Sequence, residues 1–453
     1  MSEPPPHRFA IVGAGPSGFY AAAELLRLVP EARIDLYERL CAPHGLVRYG
    51  VAPDHAKTKA ATRAFDRIAA DPRVRFRGNV RVGQDVSVEE LRSAHTAVLF
   101  AHGSNAGRRL GVPGEDLANV YTSVDFVGWY NGHPDHQELR PDFSRATAVV
   151  VGNGNVALDV ARILVRPISD LAATDIATPA LDALRESSVR RVVLLGRRGP
   201  AQAAFTPSEL HELAHLPGVA LEVDARDLEL SPEDLAEVEA DTSQRGRQCM
   251  EILGAAAKAS TAAEADRVVE LRFLTSPVTI EGDDQVARVI LGRNRLEGAT
   301  GRRRAVDTGE REILVAGLVV GSIGYLGARI EGLPFDEREQ VVPSEAGRVT
   351  GLPGVYCAGW IRRGAQGVIG NNKRCAAETV AAVVADLPGL PAPIRAEGSI
   401  DQLLAERGVR VFTWADWQRL DAIEAAAGQP LGRPRIKTLS NQKALDLVPQ
   451  ENP

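Results

Sequence analysis

The chain has 453 residues, a formal net charge of −6, 44% hydrophobic residues and 25% charged residues. That length exceeds one ordinary core and implies two or three domains of a soluble globular protein. The acidic balance argues against nucleic acid as a partner. No apolar run is long enough to span a membrane, and the four cysteines contain no CxxC pair, so neither a zinc site nor a redox dithiol is written.

The opening, MSEPPPHRFAIVGAG, has no basic segment followed by an apolar one. No targeting signal is expected there, and the protein is expected in the cytoplasm. Residues 9–12 read as a buried strand, 16–29 as a helix with Pro16 at its start, and 33–37 as a second strand closed by Glu38. Between the first two, Gly13, Gly15 and Gly18 spell GxGxxG. The first glycine permits a tight turn, the second a close approach of backbone to pyrophosphate, and the third close helix–strand packing. The phosphates then face a helix N-terminus. A terminal acid such as Glu38 accepts from ribose hydroxyls and repels a 2′-phosphate.

Residues 96–100 read as another strand, after which the pattern restarts. Residues 146–151 predict a strand and 155–165 a helix, with Gly152, Gly154 and Ala157 spelling GxGxxA. On that helix, Asp159 and Arg162 read as a solvated face. After an insertion at 167–188, residues 192–195 form the next strand. No acid closes it; Arg197 and Arg198 stand there instead. Arginine at this place accommodates the 2′-phosphate of NADP. Residues 224–266 read as mainly helical, 272–295 as an antiparallel excursion turning at GDD, 314–320 and 355–358 as further strands, and the tail from 391 as mixed. Alternating strands and helices with one restart predict an α/β protein with two Rossmann-like parallel sheets. One acid-closed and one arginine-closed fingerprint point to FAD and NADP(H).

Longer stretches carry a resemblance. HGLVRYGVAPDHAKTK (44–59), DFVGWYNGHP (125–134), VVVGNGNVALDVAR, GRRGP with QAAFT and SEL, and GVYCAGWIRRGAQGVIGNNK (354–373) closely resemble the adrenodoxin-reductase-type ferredoxin–NADP⁺ reductases. The bacterial, actinobacterial NADPH–ferredoxin reductases are the nearest in look. The resemblance runs from the first strand to GRPRIK in the tail. Gln366, where the family usually has threonine, and GNNK for GTNK are modest departures.

The resemblance implies a glutathione-reductase-like fold, with a split FAD domain at 1–104 and 326–453 and an inserted NADP domain at 105–325. It implies FAD contacts at Ala14, Glu38, Leu46, Val82, Trp360, Gly367, Val368 and Ile369, beside the glycines of the first fingerprint. It implies NADP contacts at Arg108, Asn153, Gly154, Asn155, Val156, Arg197, Arg198, Glu209 and Gly367. His55 and Glu212 are the expected catalytic pair near the nicotinamide–flavin junction; a purely structural pair is the equal alternative. Arg245 and Arg247 match a docking stretch for an acidic partner. No metal is expected. Family members fused to an iron–sulfur module carry it at the N-terminus with a cysteine cluster, so the expected acceptor is a separate ferredoxin-type protein, served by a monomer. The expected activity is NADPH:ferredoxin oxidoreduction. The alternatives are an electron-input flavoprotein subunit of a larger complex, or an NADPH-dependent flavoprotein with another acceptor.

Overall fold

The computed structural model describes residues 7–259, 265–367 and 369–450. The chain divides into two compact units. The first takes Met1–Ala106, Asn131–Gln137 and Tyr325–Pro453, and the second Gly107–Tyr130 and Glu138–Gly324. The short segment Asn131–Gln137 thus belongs with the first unit although its neighbours on both sides belong to the second.

The first unit is built on a seven-stranded sheet in the order Ser344–Glu345, Arg348–Val349, Val355–Cys357, Ala97–Phe100, Arg8–Val12, Arg33–Tyr37, Val74–Arg77. Its five strands from Val355–Cys357 to Val74–Arg77 are parallel. Residues 9–12 and strand Ala97–Phe100 are apolar throughout because both faces of the sheet are covered. Phe9 and Ile11 join one core layer with Leu36 and Leu99, while Ala10 and Val12 join the other with Val98 and Phe100. The first layer is completed by Phe19 and Leu25 of helix Pro16–Leu28 and by Val380 and Val383 of helix Ile369–Asp386. The tail adds Phe412, Trp417 and Leu420 to it. Full burial of each such aromatic or leucine contributes about 1.5–3 kcal/mol.

The second unit repeats the plan. Val120–Thr122, Leu318–Gly321, Thr147–Val151, Arg191–Leu195, Arg267–Arg272 and Val219–Val223 form, in that order, an all-parallel sheet. Thr275–Glu281, Arg288–Glu297 and Arg304–Val315 form a separate antiparallel sheet. Val149, Val151, Val193 and Leu195 pack against Ile280, Val289 and Leu291 of it.

The predicted strand 314–320 is two strands. At Ala316 the N–H still donates to Ala287 on the antiparallel side; at Gly317 it donates to Thr147 of the parallel sheet. The chain changes sheets between these residues, and a continuous apolar run does not reveal such a break. The segment 224–259 carries helices Pro232–Ala240 and Arg245–Lys258, as its composition predicts. Strands Val74–Arg77, Val219–Val223 and Arg267–Arg272 have no counterpart in the sequence reading. All four cysteines are buried free thiols. Among the described residues no helix is long and apolar enough to cross a membrane.

Candidate functional site

The first fingerprint folds as a strand–turn–helix. Gly13 has φ +108°, and a Cβ there would lie 2.6 Å from the carbonyl oxygen of Ala101. Its N–H donates to Tyr37 O at 2.8 Å, which ties the turn to the end of the second strand. Glu38, the first residue past that strand, folds its carboxylate back onto the turn. Oε2 accepts the N–H of Ala14 at 3.0 Å and Oε1 the N–H of Leu40 at 3.1 Å. Burial raises the Glu38 pKa, opposed by the Arg39 charge and by these N–H groups. A carboxylate offers about four acceptor positions, so capacity remains for ribose hydroxyls.

A cavity of about 760 Å³ opens beside this turn, lined by Gly13, Glu38, Val82, His102, Asp135 and Ile330 among others. Gly45, just before Leu46, lies against Gly15: a Cβ on it would sit 3.0 Å from Gly15 Cα. Gly359, just before Trp360, lies against the start of helix Pro16–Leu28, where a Cβ would meet Ser17 Oγ at 2.1 Å. Ala14, Glu38, Leu46, Val82 and Trp360 are thereby gathered in one unit. Gly367 has φ +82° and Ile369 opens helix Ile369–Asp386; Val368 lies outside the described residues. The Tyr37 hydroxyl, His102 Nδ1 and Trp360 Nε1 are buried without a hydrogen-bond partner among the described residues. Buried polar atoms are rarely left so, and their presence fits a polar group completing the set. The residues present therefore fit a dinucleotide whose ribose meets Glu38.

The second fingerprint repeats the geometry. Gly152 has φ +137° and donates its N–H to Leu195 O at 2.8 Å, again the end of the neighbouring strand. A Cβ on Gly154 would meet nothing within 4 Å, which leaves open room above the helix N-terminus. Val156 is half-buried in the first helical turn, whereas Val160 and Ile163 are buried. Asn153 O accepts the N–H groups of Ala204 and Phe205, and Asn155 Oδ1 that of Thr206 at 2.8 Å. These bonds fix the start of helix Pro207–Ala214, which carries Glu209 and Glu212.

Beyond strand Arg191–Leu195, Arg197 is exposed and Arg198 half-buried, its Nη2 3.5 Å from Gln202 O. Neither has a carboxylate partner among the described residues, in a chain where most guanidiniums do. The Arg108 side chain is exposed; its N–H donates to Gly324 O at 2.9 Å. These residues fit a phosphorylated nucleotide.

The reading of Asp159 and Arg162 as a solvated face is wrong. Arg162 has no exposed surface. Its Nη2 meets Asp159 at 2.9 Å, its Nη1 Glu209 at 3.4 Å, and its Nε Glu212 at 3.6 Å; Arg166 Nη1 also reaches Glu212, at 3.4 Å. Helix Pro207–Ala214 covers the face that sequence periodicity assigned to solvent, and its carboxylates compensate the buried charge. His55 stands at the N-cap of helix Ala56–Lys59 in the first unit. Arg245 and Arg247 are exposed in the first turn of helix Arg245–Lys258. Sequence reading missed Asp135 and His102 at the first cavity. Asp135 follows GWYNGHP, a quoted stretch whose return to the first unit has no local signature.

Residues 7–209 match the family model described as pyridine nucleotide-disulphide oxidoreductase. The chain is 47% identical over 449 residues to the NADPH-ferredoxin reductase FprA of Mycobacterium tuberculosis strain H37Rv, covering 96% of this chain and 97% of that protein. The chain belongs to the adrenodoxin-reductase-type ferredoxin–NADP⁺ reductases. The mitochondrial NADPH:adrenodoxin oxidoreductase of Homo sapiens is 44% identical over 454 residues, with 97% of this chain and 92% of that one covered. The solved structure of M. tuberculosis FprA in complex with NADPH superposes with a TM-score of 0.93 at 45% identity, over 98% of this chain and 99% of that chain. Membership of this reductase family accords with the doubled Rossmann-like α/β fold.

Proposed function

We propose that the protein is an NADPH:ferredoxin oxidoreductase whose first unit holds FAD and whose second binds NADP(H). The observation that carries this reading is the change of charge behind two like glycine turns: a carboxylate bound onto the first, and beyond the second two guanidiniums without carboxylate partners among the described residues. A bound FAD would supply hydride acceptance from NADPH and one-electron release to an iron–sulfur carrier. The chain supplies binding and orientation rather than an acid or base of its own. Glu38 and the Ala14 turn hold the FAD adenosine and pyrophosphate, aided by Leu46, Val82, Trp360, Gly367, Val368 and Ile369. Arg197 and Arg198 select the 2′-phosphate, and Gly154, Asn153, Asn155, Val156 and Arg108 receive the rest of the nucleotide. Glu209 and Glu212, oriented by Arg162 and Arg166, and His55 serve the reductive half-reaction. The acceptor is a separate acidic ferredoxin met by Arg245 and Arg247, and the protein works as a cytoplasmic monomer.

Anaerobic titration tests the reading. NADPH should bleach the bound flavin stoichiometrically, and added ferredoxin should then reduce cytochrome c. Yellow protein that NADPH does not bleach contradicts it.

A further inference from the structure

Ala14, in the middle of the first glycine turn, is gripped on both sides. Its N–H donates to Glu38 Oε2 at 3.0 Å, and its carbonyl accepts the N–H of His44 at 2.7 Å. The second grip uses uncommon backbone. His44 has φ +82°, a left-handed conformation that strains a side-chain-bearing residue and for which glycine is the ordinary choice. What keeps it there is the side chain. The ring is 4% exposed and lies 5.8 Å from the Phe19 ring and 5.7 Å, edge-on, from the Trp417 ring. Its Nε2–H donates to Asp66 Oδ1 at 2.8 Å. Asp66 sits on helix Thr62–Ala69 with its side chain 45% exposed, so its carboxylate anchors the ring from the rim of the core.

The consequence falls on the next residues. Gly45 is pressed against Gly15, and Val47 N–H returns to His44 O at 3.1 Å, opening the Leu46–Tyr49 turn. Strain of this kind persists only where surrounding contacts over-determine it, and it gathers at ligand clamps.

We propose that His44, anchored by Asp66, is a positioning residue for the dinucleotide at the first glycine turn. It fixes the Ala14 peptide plane, and with it the direction in which the turn's N–H groups face the pyrophosphate. The backbone grip alone could be made by glycine; the histidine adds a side-chain anchor that holds it in one conformation. The inference rests on the reading that the first unit binds FAD.

The test uses flavin-free full-length protein, with FAD as the probe, its Kd read from quenching of flavin fluorescence, and a urea midpoint measured on each apoprotein. His44→Ala and Asp66→Ala should each raise the Kd for FAD about tenfold, and the double variant no further than either single one. His44→Gln, which keeps a donor near the Nε2 position, should recover most of the affinity with Asp66 present and none in Asp66→Ala. Asp66→Ala, at a half-exposed site, should leave the urea midpoint unchanged. Wild-type affinity in both single variants overturns the inference, as does a Kd that rises only in step with a falling urea midpoint. Wild-type apoprotein that fails to quench FAD overturns the FAD reading itself, a result distinct from either.

Discussion

The two glycine turns share one backbone device and differ in how they are closed. In each, a left-handed glycine donates its N–H to the last residue of the adjacent parallel strand at 2.8 Å. Around the first, Glu38 binds back onto the turn and Gly45 presses on Gly15. Around the second, Gly154 faces open space and the arginines beyond the strand have no carboxylate partner among the described residues. A closed, pre-bonded turn suits a nucleotide that stays, and an open one with waiting charge suits a nucleotide that exchanges. On the proposed function, the shared frame receives pyrophosphate in both units, and the residue after the second strand sets which ribose is accepted.

The sharpest way to break the comparison is at the glycines. A Cβ at Gly18 would lie 1.9 Å from Gly13 O, so Gly18→Ala should cost about 3 kcal/mol or more and yield colourless protein. Gly154→Ala meets no atom, so stability should stay within about 0.5 kcal/mol while NADPH affinity falls roughly tenfold through crowding of the pyrophosphate. Melting curves and NADPH titrations of both variants separate these effects.

A smaller effect concerns the first cavity alone. Burial lowers the His102 pKa from 6.5 to about 4, against a bond to Ala328 O. The unfolded chain therefore takes up the proton first. The stability linked to neutral His102 is full above pH 6.5 and is lost as pH falls from there towards 4, by about 2 kcal/mol at pH 5. His102→Val should flatten this part of the stability–pH profile in urea unfolding. A profile parallel to wild type between pH 7 and 5 would count against it.

The smallest effect is expected at the exposed charges. Arg245→Glu with Arg247→Glu should raise the KM for ferredoxin severalfold and steepen no other parameter, leaving NADPH–ferricyanide turnover as it was. Equal ferredoxin kinetics would place the dock elsewhere.

Much of this was legible in the sequence because nucleotide turns are local. GxGxxG and its following acid lie within one strand–helix–strand span, and the arginines of GRRGP directly follow the strand of a second one despite the insertion at 167–188. Residues joined by tertiary return were not legible. Arg162 reads as solvated until helix Pro207–Ala214 covers it with Glu209 and Glu212. Asp135 falls inside the NADP domain expected at 105–325, yet its segment rejoins the first unit, where Arg39 meets it at 2.8 Å. The change of sheet at Ala316–Gly317 is hidden because both halves of the run are equally apolar. His44 lies within a stretch that carries the family resemblance, yet its left-handed backbone leaves no mark in composition.

Cofactor preference measures the central claim most directly: the ratio of anaerobic flavin-reduction rates with NADPH and NADH, for wild type and for Arg197→Ala with Arg198→Ala. At subsaturating nucleotide, the account predicts a strong NADPH preference in wild type that falls by at least about tenfold in the double variant, chiefly through slower reaction with NADPH. Wild type that reacts equally fast with both nucleotides, or a double variant that keeps the full preference, would contradict it.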